Sequence, residues 1–115
     1  MLYNDLKNVF LNSIANLKYH NKLNVKLDHH LSYSYITKVV ATSDGREIQL
    51  TKNEMFFLEL LLTKRSQLFS KKMIEDEIFG KTIDENTMRN LVYRLRKKLN
   101  TDAIVTIKDL GYILK

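Results

Sequence analysis

Residues 84–100, DENTMRNLVYRLRKKLN, and the segment IVTIKDLGYILK at 104–115 constrain the fold of this 115-residue chain more than any other stretch. The first predicts a basic amphipathic helix, the second a β-hairpin. At about 100° per residue, Met88, Val92, Leu95 and Leu99 fall on one stripe with Leu91 at its border, and that stripe needs a core. Asn86, Arg89, Asn90, Tyr93, Arg94 and Lys97 fall on the opposite side. Between Arg89 and Lys98 there are five basic residues and no acid, whereas an ordinary solvated helix mixes signs at i,i+4. Long donors, amides and an aromatic ring suit a phosphate backbone and base edges. The competing reading is a charged face that binds nothing.

An apolar content of 44% supports one modest core and argues against disorder. A net charge of +6 and a pI near 9.5 fit a polyanionic partner without requiring one. The basic excess of the second half is concentrated in the 84–100 helix. With no cysteine there is no disulfide, thiolate metal site or thiol nucleophile, in keeping with a reducing cytoplasm. The start MLYNDLKN lacks the basic and apolar regions of a signal peptide, and the apolar runs are too short to span a bilayer. The expectation is a soluble, cytoplasmic protein with no membrane partner.

Along the chain, Leu6, Val9, Phe10, Ile14 and Leu17 recur at helical spacing. From Leu23 to Leu50 the pattern turns to alternation, with a turn at Ser43-Asp44-Gly45, and predicts an antiparallel sheet of three or four short strands. Thr51 with Glu54 forms the capping box T-x-x-E of a helix whose body, MFFLELLLTKR, is apolar nearly all round. Ser70 caps a second helix, KKMIEDEIFG, ending at Gly80, and Asp84 caps the basic one. The order is sheet, three helices, hairpin.

In that order and spacing, IQLTKNEMFFLELLL, FSKKMIEDEIFG, LVYRLRKKL and IVTIKDLGYIL resemble the C-terminal effector domain of OmpR/PhoB-type response regulators. The strands from Leu23 to Leu50 are similar to that family's N-terminal sheet, so the resemblance covers about three-quarters of the chain. It implies an α+β fold: a winged helix-turn-helix with an N-terminal antiparallel sheet, a three-helix core and a C-terminal β-hairpin wing, preceded by an extra N-terminal helix. The division is 1–22 for the amphipathic helix and 23–115 for the winged-helix domain. The segment Tyr3–Tyr19 resembles the last helix of a receiver domain; the alternative is a helix that caps the sheet. The acidic pair and later aspartate of phosphoacceptor chemistry do not occur. The chain departs from the family's pattern at two places. Phe79 stands where tryptophan is usual, and the wing reads Lys108-Asp109-Leu110-Gly111-Tyr112 where R-G-x-G-Y is common.

The resemblance implies sequence-specific binding of double-stranded DNA by a transcriptional regulator, with the basic helix in the major groove and the wing on the minor groove or backbone. Asn86, Arg89, Asn90, Tyr93 and Arg94 are the groove-facing candidates. Arg94 leads for base readout, because arginine donates twice to guanine O6 and N7. Thr87 and Lys97, with Thr106 and Lys108 on the wing, are the phosphate candidates. Arg96 is open to a phosphate contact or an internal ion pair, and Tyr112 reads as a hairpin core residue. Glu75, Asp76 and Glu77 read as a solvated face. The loop Gly80, Lys81, Thr82, Ile83 is the candidate contact for RNA polymerase. A homodimer on direct repeats follows from the same resemblance, and no cofactor is implied.

Two other classes compete. An enzyme is disfavoured because no Gly-rich phosphate loop or paired nucleophile and base is evident. Moreover, His29 and His30, adjacent on a strand, should point to opposite faces and give poor metal-ligand spacing. The alternative is a winged-helix interaction module docking an acidic partner. Such a face would show an apolar centre with a polar rim, and here that centre is absent.

Overall fold

The computed structural model describes residues 23–115; the predicted N-terminal helix and His20 lie outside the described residues. Alternation of side chains builds the first layer. Strands β1 (Asn24–Asp28), β2 (Leu31–Ser34), β3 (Val39–Thr42) and β4 (Glu47–Ile48) pair antiparallel in chain order. Tyr33 lies opposite both Val25 and Val40. Leu27, Leu31, Tyr33 and Val40 are buried, as a period of two with one face covered requires. The turn at Ser43-Asp44-Gly45 is as expected, with Gly45 at φ 92°.

Three helices follow. Thr51 and Glu54 form the predicted capping box for α1 (Lys52–Thr63). Phe57, Leu58 and Leu61 of α1 are fully buried, but the helix is not covered all round: Phe56 is exposed, with the Lys52 ammonium 5.7 Å from its ring. Ser70 caps α2 (Lys71–Ile74). The single helix expected through Phe79 instead widens into a π-helical turn, Glu75–Phe79, closed where Gly80 N–H donates to Glu75 O at 2.8 Å. Helix α3 (Glu85–Leu99) starts at Asp84, whose carboxylate accepts from Thr87 N–H at 2.7 Å. Its apolar stripe is buried, and Leu91 lies fully within it rather than at its border.

The hairpin β5 (Ile104–Ile107) and β6 (Gly111–Leu114) returns to the core. The loop after α1 adds to its edge: Phe69 and Tyr112 exchange two backbone hydrogen bonds of 2.9 Å, and Ser66 N–H donates to Leu114 O at 2.7 Å. Tyr112 is buried edge-on against Phe57 at 5.8 Å, as expected of a core residue. This strand contact explains Gly111. Its φ is 150°, and a Cβ there would lie 2.1 Å from Phe69 O, a backbone atom that cannot move without breaking the pairing. Gly111→Ala is expected to lower stability by about 2–4 kcal/mol in urea unfolding.

Glu54 joins the layers. Its side chain is fully buried, accepts from Thr51 N–H at 2.9 Å and pairs with Lys98 Nζ of α3 at 2.6 Å. Burial alone raises the Glu54 carboxyl, but the Lys98 ammonium and the Thr51 N–H outweigh it and hold the group below its ordinary 4.5. A depressed carboxyl stabilises the fold fully above its unfolded-state value and loses that contribution as pH falls through the folded-state value. Lys98→Met is expected to cost about 2–3 kcal/mol at neutral pH, since it leaves a buried carboxylate without its cation. Denaturant titrations across the acid range should show the gap between wild type and variant narrowing as Glu54 protonates.

Candidate nucleic-acid interface

One groove runs between α3 and the wing. It encloses about 520 Å³ and is lined by Glu85, Arg89, Tyr93 and Arg96 on the helix side and by residues 106–112 of the hairpin. The apolar stripe decides this arrangement: burying Met88, Val92, Leu95 and Leu99 turns Asn86, Thr87, Arg89, Asn90, Tyr93, Arg94 and Lys97 to solvent. All seven predicted helix residues other than Arg96 therefore share the exposed side of α3. Tyr93 is 62% exposed, an unusual display for an aromatic residue, and the Lys97 ammonium sits 5.8 Å from its ring. Thr87 spends its N–H on the helix cap, and that bond holds the Asp84 carboxyl below its ordinary range.

Arg96 is not free, and among the described residues it has no ion-pair partner. Its Nε donates to Ile104 O at 2.9 Å and its Nη2 to Thr106 Oγ1 at 2.5 Å. The helix is thereby stapled to the first strand of the wing, and the internal partners of Arg96 are a carbonyl and a hydroxyl rather than the acid of an ion pair. Thr106 remains exposed but already accepts this bond; Lys108 is exposed further along the hairpin. Two acids also line the groove. Glu85 pairs with Arg89 at 3.5 Å, both well exposed, so the pair holds little energy. Asp109 stands at the wing tip in the left-handed region at φ 64°, the conformation that a glycine would adopt without strain and that aspartate tolerates. The fifth basic residue of the helix, Lys98, is turned away to Glu54.

The acids of the second helix divide. Asp76 and Glu77 are exposed, but Glu75 is buried and accepts from Lys71 Nζ and from Ile83 N–H, each at 2.9 Å. Lys71 first and the Ile83 N–H second hold the Glu75 carboxyl below its ordinary range. The solvated reading fails for Glu75 because the wide turn swings it beneath the loop it supports. Ile83 is itself buried, which leaves Gly80, Lys81 and Thr82 as the exposed part of that loop.

The histidine expectation also needs correction. His29 and His30 lie on the β1–β2 turn rather than along a strand, and their rings are 4.9 Å apart. With Asp28 they bring their donor atoms within 4.8 Å of one another. Asp28 accepts from His30 N–H at 2.9 Å and lies 2.8 Å from His30 Nδ1, while its other oxygen accepts from the Thr101 hydroxyl. The same hollow is lined by Arg65. Both Asp28 oxygens are thus engaged within the fold, tying the turn to the loop after α3.

Residues 45–114 match the family model described as "Transcriptional regulatory protein, C terminal". The chain belongs to this family. Among curated relatives it is 32% identical over 79 residues to the transcriptional regulatory protein QseB of Escherichia coli O157:H7, covering 67% of this chain and 36% of QseB. It is 37% identical over 77 residues to the phosphate regulon regulator PhoB of Rhizobium meliloti, covering 62% and 34%. The chain thus spans about a third of the length of such relatives. The fold matches the DNA-binding domain of Bacillus subtilis CssR with a TM-score of 0.69 at 23% identity, over 74% of this chain and 99% of that one. It matches the Klebsiella pneumoniae RstA DNA-binding domain, solved in complex with the RstA box, with a TM-score of 0.68 at 22% identity, over 79% and 95%. The resemblance to OmpR/PhoB-type effector domains and the winged-helix fold are both borne out.

The staple gives a direct test. Arg96→Met keeps the aliphatic stem and removes both hydrogen bonds. It is expected to leave α3 folded while amide exchange at Ile104 to Thr106 accelerates by about tenfold, the loss of roughly 1–2 kcal/mol of local stability.

Proposed function

We propose that this chain binds double-stranded DNA sequence-specifically as the effector part of a transcriptional regulator, with α3 in the major groove and the β5–β6 wing on the adjacent minor groove or backbone. The observation that carries the reading is the exposed side of α3, where Asn86, Asn90, Tyr93, Arg94 and Lys97 are displayed together beside a wing held in place by Arg96. Family membership supports it. No catalytic step is assigned to the chain. The exposed side of α3 sets one aromatic ring, Tyr93, among amides and cations instead of an apolar centre with a polar rim, which argues against docking an acidic protein there.

Arg94 reads a base in this proposal, with Asn86, Arg89, Asn90 and Tyr93 completing the major-groove set; Thr87, Lys97, Thr106 and Lys108 hold phosphates. Selection from random double-stranded DNA at two salt concentrations should enrich one half-site, repeated at about a helical turn if two copies bind as a dimer on direct repeats. Absence of binding at low salt would transfer the reading to the protein-docking class. Arg94→Ala should weaken specific binding by about 1–3 kcal/mol and relax one base position; an equal loss on every sequence would remove Arg94 from base readout. Lys108→Ala should weaken specific and random DNA alike and make the salt slope shallower by about one unit.

A contact with RNA polymerase through Lys81 and Thr82 belongs to the same proposal. Their substitution should reduce transcription with DNA binding intact. A cytoplasmic location fits this role, and no helix among the described residues is long and apolar enough to cross a membrane.

A further inference from the structure

We propose that Asp109 makes the wing select a G·C pair, and reject A·T pairs, where its tip meets the minor groove. The inference rests on the DNA-binding reading above. Asp109 is exposed at the hairpin turn, which Leu110 N–H closes by donating to Ile107 O at 3.0 Å. It lines the groove shared by α3 and the wing. Among the described residues its carboxylate has no ion-pair or hydrogen-bond partner; neighbouring Lys108 does not engage it, and Glu85, the other acid of the groove, is taken by Arg89. The next residue at the tip, Leu110, is 57% exposed and offers no compensating charge.

A carboxylate is an acceptor only. The minor-groove edges of A·T and T·A pairs present only acceptors, whereas G·C adds the guanine N2 amino donor. A-tracts also narrow the groove and deepen its negative potential. An unpaired carboxylate is therefore repelled by an A·T tract and has one partner to accept from, the guanine amino group. Asn tolerates the same left-handed backbone, removes the charge and adds a donor suited to A N3 or T O2, so Asp109→Asn isolates the chemistry from the turn.

The test uses the full chain and the site enriched by selection, in duplexes that differ only at the pair beneath the wing: G·C, A·T, and inosine·C, which lacks the 2-amino group. Wild type should bind G·C about fivefold or more tighter than both A·T and inosine·C. Asp109→Asn should bring the three within about twofold, and should steepen the salt slope by about one unit. Equal wild-type affinity for G·C and inosine·C overturns the inference without needing any variant. An unchanged preference in Asp109→Asn, with an unchanged thermal midpoint, overturns it as well. Either result leaves sequence-specific binding standing, whereas wild-type protein that enriches no DNA removes both readings.

Discussion

Glu54 is buried yet ionised, and the elements that display the exposed side of α3 meet at its carboxylate. One oxygen accepts from the N–H that opens α1 and from the ammonium of Lys98 near the end of α3; the other has no hydrogen-bond partner among the described residues. An apolar pair of the same shape would avoid that desolvation, so stability alone is a weak reason for the arrangement. Its consequence is directional. Apolar packing in the core, to which Leu58, Leu61, Leu91 and Leu95 contribute, permits sliding by small amounts, but a short charged bond does not. The rotation of α3 about its axis, and hence which residues reach solvent, is tied to the first turn of α1.

The same logic repeats around the domain with polar groups that bridge distant segments. Arg65 donates to Lys26 O at 2.5 Å, to Leu27 O at 3.0 Å and to Lys115 O, joining the sheet to the final strand. Tyr33 donates to Glu59 at 2.5 Å, and Lys38 pairs with the same oxygen at 2.7 Å. Burial, followed by its bond to Glu59, pushes the Tyr33 hydroxyl well above its ordinary range, so it stays a donor at every physiological pH.

What could be read in the chain beforehand was local. The caps at Thr51, Ser70 and Asp84, the stripe of α3, the inward position of Tyr112 and the turn at Gly45 each depend on spacing of a few residues, and each stands as expected. What could not be read depends on pairs far apart in sequence. Nothing near Lys98 shows that Glu54 will claim it, nor near Arg96 that a strand carbonyl will. The run of five basic residues without an acid between Arg89 and Lys98 includes both, although Lys98 is paired with Glu54 and Arg96 with β5. The π-helical turn was hidden for a related reason: Glu75 leaves the solvated row because Ile83 N–H and Lys71 need an acceptor beneath the loop, and no periodicity encodes that demand. His29 and His30 illustrate how two residues of boundary error reverse geometry, since a strand separates their rings and a turn brings them together.

The bonds from Arg96 to β5 make the helix and the wing a single rigid unit. A hairpin left to swing would have to be ordered at the moment of contact, and that ordering would subtract from affinity. Here the cost is met during folding. The distance between the exposed side of α3 and the tip of the wing is therefore a property of the protein, like the span of a calliper. In the DNA-bound arrangement proposed above, the duplex would have to adapt to that span by twist, groove width or bend, so that the stiffness of base steps no side chain reaches would enter the recognised sequence.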